Sequence, residues 1–171
     1  MEPEVTMDAL TALMTRRSIR QFDGRPVPRE ELEKIVDAAR LATTARNEQP
    51  WEFIVVTQPD RMRAFATLTD YGRFMADAGA CIVVFCKDTK YYLEDGCTAT
   101  ENILVAATAL GIQSCWVAGD KKAYAPAVAK LAGVPEGYKL ISMVVLGYGT
   151  KPAPMPKKRE LKNVLHWDHF Q

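Results

Sequence analysis

Four short polar clusters hold the residues whose types and spacing could do chemistry. The first is Arg16-Arg17-Ser18-Ile19-Arg20. Three guanidinium groups and a hydroxyl within five residues form a donor set suited to phosphate, because the arginine fork matches two phosphate oxygens and serine adds a short directional bond. In an extended conformation residues 16, 18 and 20 point one way; a solvated basic helix end, favoured by the helix dipole, accounts for the same residues. The second cluster is Lys157-Lys158-Arg159, preceded by Lys151-Pro-Ala-Pro-Met-Pro. The prolines make this an extended segment that lies across a surface and carries its cations to a defined place, unless it is simply a solvated tail. In the third, Thr43-Thr-Ala-Arg-Asn-Glu-Gln-Pro-Trp51, Asn47 and Gln49 each bear a donor and an acceptor, as a heterocycle with alternating N–H and C=O edges requires. An ordinary helix-to-strand connection is the alternative. The fourth, Ser114-Cys-Trp-Val-Ala-Gly-Asp120, is a strand ending at a glycine, which is either a plain turn or a place where backbone N–H groups approach a ligand.

Composition narrows what these clusters serve. At 171 residues the chain is expected to be a single domain, residues 1–171, large enough to bury about 70% of its extended surface without staples. Its charges nearly cancel, 22 basic against 21 acidic, so no global field draws it to nucleic acid or to an anionic membrane, and any anion site is local. No apolar run reaches the roughly 18 residues that cross a bilayer, and the acidic Met1-Glu-Pro-Glu-Val lacks the features of a signal peptide, so a cytoplasmic location is expected. Cys81, Cys86, Cys97 and Cys115 match neither C-x-x-C redox pairs nor paired zinc ligands and read as buried free thiols. Only His166 and His169 accompany them, so no metal site is expected.

The elements that must position the clusters alternate between helices and short apolar runs. Thr6 or Asp8 caps a first helix with Leu10, Leu13 and Met14 on its apolar face. Pro28, Glu30 and Glu31 open a second, whose buried stripe is Leu32, Ile35, Val36 and Ala39 and which ends near Thr43. Strands are expected over 51–56, 80–86, 113–117 and 140–146, and their continuous apolar runs imply a sheet covered on both faces. Further helices fall near 59–68, 94–110 and 121–131, the last with Pro126 as an internal kink. Ile103 to Ala107 are all apolar, so that helix is either central to the fold or packed on another subunit.

Taken in order, Arg-Arg-Ser-x-Arg, Asn-x-Gln-Pro-Trp, Asn-Ile-Leu-x-Ala-Ala-x-x-Leu-Gly followed by Ser-Cys-Trp, then Gly-Tyr and a Pro-rich Lys-x-Arg segment resemble the flavin-dependent nitroreductase family over residues 7–166. The resemblance implies an α+β sandwich, a mixed central sheet flanked by helices, in an intertwined homodimer with the greasy helix at its core and flavin mononucleotide (FMN) at the subunit interface. On this likeness Arg16, Arg17, Ser18 and Arg20 hold the phosphate, ribityl chain and pyrimidine edge, and Lys157 and Arg159 complete the phosphate site. Thr44, Ala45, Asn47 and Gln49 form the loop lent by the other subunit, and the backbone N–H groups of Ala118 and Gly119 face the flavin N5 and O4. The chain departs from the family where Thr43-Thr44-Ala45-Arg46 replaces the usual Pro-Ser-Ser, which puts Arg46 toward the substrate channel.

The activity implied by the same resemblance is that of an FMN-dependent oxidoreductase, which takes hydride from NADH or NADPH and passes it to nitroaromatic, quinone or similar electron-poor acceptors by a ping-pong scheme. The cofactor carries the chemistry, so no protein acid or base and no metal is required. Tyr71, Arg73, Phe74 and Tyr124 are channel candidates with equally available packing roles. A flavoprotein of the same fold with a specialised task, such as a dehalogenase, a flavin-cleaving enzyme or a flavin-holding sensor, is the alternative within the family. A nucleic-acid or anion-binding module built on residues 16–20 finds no support in the neutral total charge.

Overall fold

The computed structural model describes residues 7–170. Four strands form one sheet in the order β1-β2-β4-β3: β1 (Trp51–Val56), β2 (Ala80–Lys87), β3 (Gln113–Ala118) and β4 (Tyr138–Gly147). Their positions agree with the apolar runs to within two residues, but every strand pair is antiparallel. The mixed sheet expected from the family likeness is therefore reduced, among the described residues, to one isolated parallel bridge between Ser18 and Ser114 at the edge of β3. Continuous apolar runs report that both faces are covered, whatever the direction of the neighbouring strand.

Alternation along β2 divides the core into two halves. Ala80, Ile82, Val84 and Cys86 pack with α2 (Arg29–Arg40) and α4 (Tyr92–Ala109), while Cys81, Val83 and Phe85 pack with α3 (Pro59–Leu68) and α5 (Ala125–Ala132). All seven side chains are fully buried. Helix α4 is the central helix of the chain itself, lying against the sheet through Ala99, Ile103, Leu104 and Ala107 and against α2 on its flank. Gly96 permits that approach: a Cβ there would stand 2.6 Å from Ile141 Cγ1.

Four local expectations shift. Thr6 lies outside the described residues; Asp8 caps α1 (Ala9–Thr15), its carboxylate accepting from the Thr11 N–H at 3.1 Å. Only Ala12 of α1 is buried, while Leu10 and Met14 are 71% and 74% exposed, so the face expected to be inside points to solvent within one chain. Pro28 is the residue flanking α2 rather than part of its first turn, and the helix stops at Arg40, short of Thr43. Pro126 sits in the first turn of α5, where its missing N–H costs nothing, and it kinks nothing.

All four cysteines are free thiols, three buried and Cys97 half-buried. Burial pushes Cys86 up to about 12. Its thiol ionises in the unfolded chain near the ordinary value of 9.0 but keeps its proton in the fold, so unfolding releases a proton between those limits. Stability is therefore full below 9.0 and declines as pH rises toward 12. Denaturant midpoints measured at increasing pH above that value are expected to fall, and Cys86→Ala is expected to flatten the slope by up to roughly 1.4 kcal/mol per pH unit.

Candidate functional site

Arg16 ends α1, its N–H donating to Ala12 O at 2.9 Å, and the backbone then leaves the helix in an extended conformation. The arm lies on the open edge of β3: Ser18 pairs with Ser114, Ile19 donates its N–H to Ser114 O at 2.9 Å, and Phe22 bridges Gly149. Ile19 and Phe22 are buried in the core, which anchors the arm. Arg20 lines a pocket with Cys115 and Ala118, whereas Arg16 lines a separate surface pocket with Ile19, Gln113 and Pro152. Burial raises the Cys115 thiol above its usual value, and Arg20, Ser18 and Arg16 oppose the rise. Arg17 turns away, donating to Met14 O at 3.0 Å and Arg16 O at 2.6 Å and touching Met155 Sδ.

The end of β3 supplies a backbone donor. Gly119 donates to Ile141 O at 3.1 Å, continuing a register in which Val117 lies opposite Met143 and Cys115 opposite Val145. Antiparallel ladders alternate, so the N–H groups of Ser114, Trp116 and Ala118 face away from β4, toward the open edge. Tyr124 O–H donates to the Ala118 carbonyl, and burial together with Asp70 keeps that hydroxyl protonated by raising it above its usual value. A pocket of about 160 Å³ opens beside Ala118, lined by Arg20, Tyr71, Phe74, Lys122 and Tyr124 among others. Three of the four channel candidates are there, and Arg73 is not.

Gly119 corrects an expectation. Its N–H is taken by Ile141 O, and the Asp120 N–H shares that acceptor at 3.3 Å, so of the expected pair Ala118 alone offers an N–H outward. The glycine serves the sheet: a Cβ there would meet Leu140 Cγ at 2.5 Å and the Ile141 carbonyl at 2.9 Å. Ile141 is also the residue by which β4 slips register against Val84 and Phe85, a bulge beside the site.

The third cluster forms a short 3₁₀ turn, Ala45–Asn47, in which Arg46, Asn47 and Gln49 adopt φ of 55°, 58° and 49°. Left-handed backbone costs a non-glycine residue about 1 kcal/mol or more. Asp95, in the first turn of α4 and only 4% exposed, holds the turn: Thr44 Oγ1 donates to one of its oxygens at 2.9 Å and the Ala45 N–H to the other at 3.0 Å. Gln49 donates its N–H to Thr44 Oγ1 at 3.1 Å, and Thr98 Oγ1 donates to Thr43 O at 3.0 Å. Bonds to a carboxylate are worth about 1.5–3 kcal/mol, enough to hold several strained residues. Asn47, Gln49 and Arg46 are left exposed. Asp95 carries no local signal in the sequence, because its partners lie about fifty residues upstream.

The C-terminal cations do not join Arg16 within one chain. Pro152 and Ala153 share a surface pocket with Arg16 and Arg17, but Arg159 lines a different one with Lys162 and Phe170 and donates to Asn163 O. Lys157 and Arg159 are exposed, and the segment beyond leaves Leu161, Trp167 and Phe170 71%, 72% and 86% exposed. No apolar surface among the described residues covers those side chains, so nothing there folds the segment back toward Arg16.

The family model described as "Nitroreductase family" matches residues 13–76 and 69–148. The chain belongs to the nitroreductase family. It is 40% identical over 149 residues, 82% of this chain and 85% of that protein, to the Archaeoglobus fulgidus protein named "Putative NADH dehydrogenase/NAD(P)H nitroreductase". A Methanothermobacter thermautotrophicus protein of the same name is 35% identical over 161 residues, covering 91% and 83% of the two chains. The solved FMN-dependent nitroreductase of Clostridium difficile R20291 superimposes with a TM-score of 0.85 at 26% identity, covering 94% of this chain and 99% of that one. This nitroreductase-family chain is accordingly an oxidoreductase of α+β fold, in which no described helix is long and apolar enough to cross a membrane.

Because the contacts at Gly119 are to backbone and to a branched core side chain, Gly119→Ala is expected to lower thermal stability by about 1–3 kcal/mol. Thermal melts check the stability, and the Ala118 amide resonance, expected to move, checks that the turn shifts with it.

Proposed function

We propose that this nitroreductase-family chain is an FMN-dependent NAD(P)H oxidoreductase that reduces nitroaromatics, quinones or similar electron-poor acceptors by a ping-pong scheme, working as a single domain paired with a second copy. What supports the reading is the extended arm that starts at Arg16, lays Ser18 on β3 and brings Arg20 into the pocket beside the outward N–H of Ala118. A phosphate ester calls for two guanidinium forks and a hydroxyl, and a flat heterocycle calls for an edge donor between aromatic walls; this donor set fits both ends of FMN. When bound, FMN supplies hydride transfer at its ring N5.

The residues of the chain do the rest. Arg16 and Ser18 would hold the phosphate end, with Lys157 and Arg159 completing that site from the second copy or after the C-terminal segment rearranges. Arg20 would lie toward the pyrimidine edge, where a fixed cation favours negative charge on the ring. The Ala118 N–H is the donor offered to the ring, steadied by Tyr124. Asn47 and Gln49 would be presented to the neighbouring copy, and Gly119 supports the Ala118 corner from within the sheet. Phe74, Tyr71 and Tyr124 wall the opening, so donor and acceptor take the same place in turn, and no glycine-rich dinucleotide motif is needed. The exposed apolar faces of α1 and of the C-terminal segment suit a second copy. Four free thiols suit a reducing compartment such as the cytoplasm.

The test is an absorbance spectrum of the purified protein, followed by anaerobic addition of NADH and NADPH in turn. A flavin spectrum bleached by at least one donor supports the reading, and a protein that takes no FMN ends it. Arg16→Ala is expected to be nearly colourless, because losing a charge-assisted phosphate contact weakens binding roughly a hundredfold, about 3 kcal/mol; a variant retaining full colour removes Arg16 from the site.

A further inference from the structure

The buried carboxylate of Asp95 belongs to none of the clusters that the sequence singles out, and its partners define a job. It is on the face of α4 that contacts the sheet, yet both of its oxygens turn to the 44–49 loop, one accepting from Thr44 Oγ1 and the other from the Ala45 N–H. Thr44 Oγ1 in turn accepts from the Gln49 N–H, so the chain Asp95, Thr44, Gln49 spans the whole turn. The residues this chain locks, Arg46, Asn47 and Gln49, all have left-handed backbone and exposed side chains. A loop with relaxed backbone would turn those side chains elsewhere.

We infer that Asp95 is the positioning residue that sets the Thr44–Gln49 turn in its ligand-presenting conformation, acting through the Thr44 hydroxyl rather than by touching the flavin. This rests on the reading of the turn as part of the FMN site. The chemistry demands a carboxylate, because two donors face its two oxygens. An asparagine of the same size would set an amide N–H against one of them. Thr44 must keep a hydroxyl, since it donates to Asp95 and accepts from Gln49 through one atom, and a valine of the same shape does neither.

The experiment titrates FMN into apo protein, following flavin fluorescence and the visible circular dichroism of the bound ring, for wild type, Asp95→Asn, Thr44→Val and Thr44→Ser. Asp95→Asn and Thr44→Val are each expected to weaken FMN binding roughly ten- to a hundredfold and to change the dichroism of the bound ring, with far-ultraviolet spectra like wild type. Thr44→Ser is expected to recover most of the affinity lost in Thr44→Val. Wild-type affinity and dichroism in either Asp95→Asn or Thr44→Val overturns the inference, as does a Thr44→Ser variant no better than Thr44→Val. Should Asp95→Asn fail to fold, Thr44→Val with Thr44→Ser decides the matter alone. A wild-type chain that takes no FMN is a different result: it overturns the functional reading, and the inference with it.

Discussion

Ile19 donates its N–H to Ser114 O, and through that pairing the arm after α1 becomes an added strand on the open edge of β3. It sets where Ser18 and Arg20 lie against β3. Burial of Ile19 and Phe22 anchors the arm along that edge, and Arg20 comes to line the pocket beside Ala118. The same edge, left open past the arm, exposes the outward N–H of Ala118. An arm that ended at Ser18 would leave two arginines on a helix end. An arm that continued to Ala118 would cover the donor. The bridge between Phe22 and Gly149 prevents the second outcome by drawing the chain across to the strand end of β4.

Behind this edge, the two-sided sheet supplies rigidity. A strand such as β2, buried on both faces and flanked by β1 and β4, cannot slip register without carrying Ile82 and Val83 into each other's half of the core. Among the described residues, the one irregularity in the strand pairing is the extra residue Ile141, and it sits where Gly119 and Asp120 both donate to a single carbonyl. The bulge thus lies beside the Ala118 turn. Tyr92 adds a hydrogen bond to Asp120 at 3.0 Å from the first turn of α4, the same turn that carries Asp95. One helical turn therefore braces both the Ala118 corner and the 44–49 loop.

Much of this is legible in the residues themselves because it obeys local rules. The four strands can be located from their apolar runs, since a strand buried on both sides has nowhere to place a polar residue. What escapes depends on distance or on the rest of the fold. Asp95 looks like an ordinary acid at a helix start, where the dipole alone explains it, and only folding brings Thr44 to it. Gly119 looks like a ligand-contact glycine, whereas the nearest atoms to its missing Cβ belong to β4. The helix face Leu10, Leu13 and Met14 has the right period to be buried but no surface within the described residues to meet. Periodicity specifies that a face is apolar, and says nothing about whose surface covers it.

The two sets of cations share that dependence on a covering surface. Arg16 stands at the start of the arm and Lys157 and Arg159 stand in solvent, although the proposed reading brings all three to a single phosphate. The large apolar side chains in the tail, Trp167 and Phe170, are exposed in the same stretch that carries Lys157 and Arg159, and Leu10 and Met14 are exposed in the helix that ends at Arg16. Exposed apolar groups of this size are costly to leave in water, and each such patch adjoins one of the separated cation sets. On the proposed reading, burying these patches against a second copy and gathering the cations are one event. Apolar area supplies the driving force, and the phosphate relieves the repulsion that three neighbouring positive charges would otherwise create.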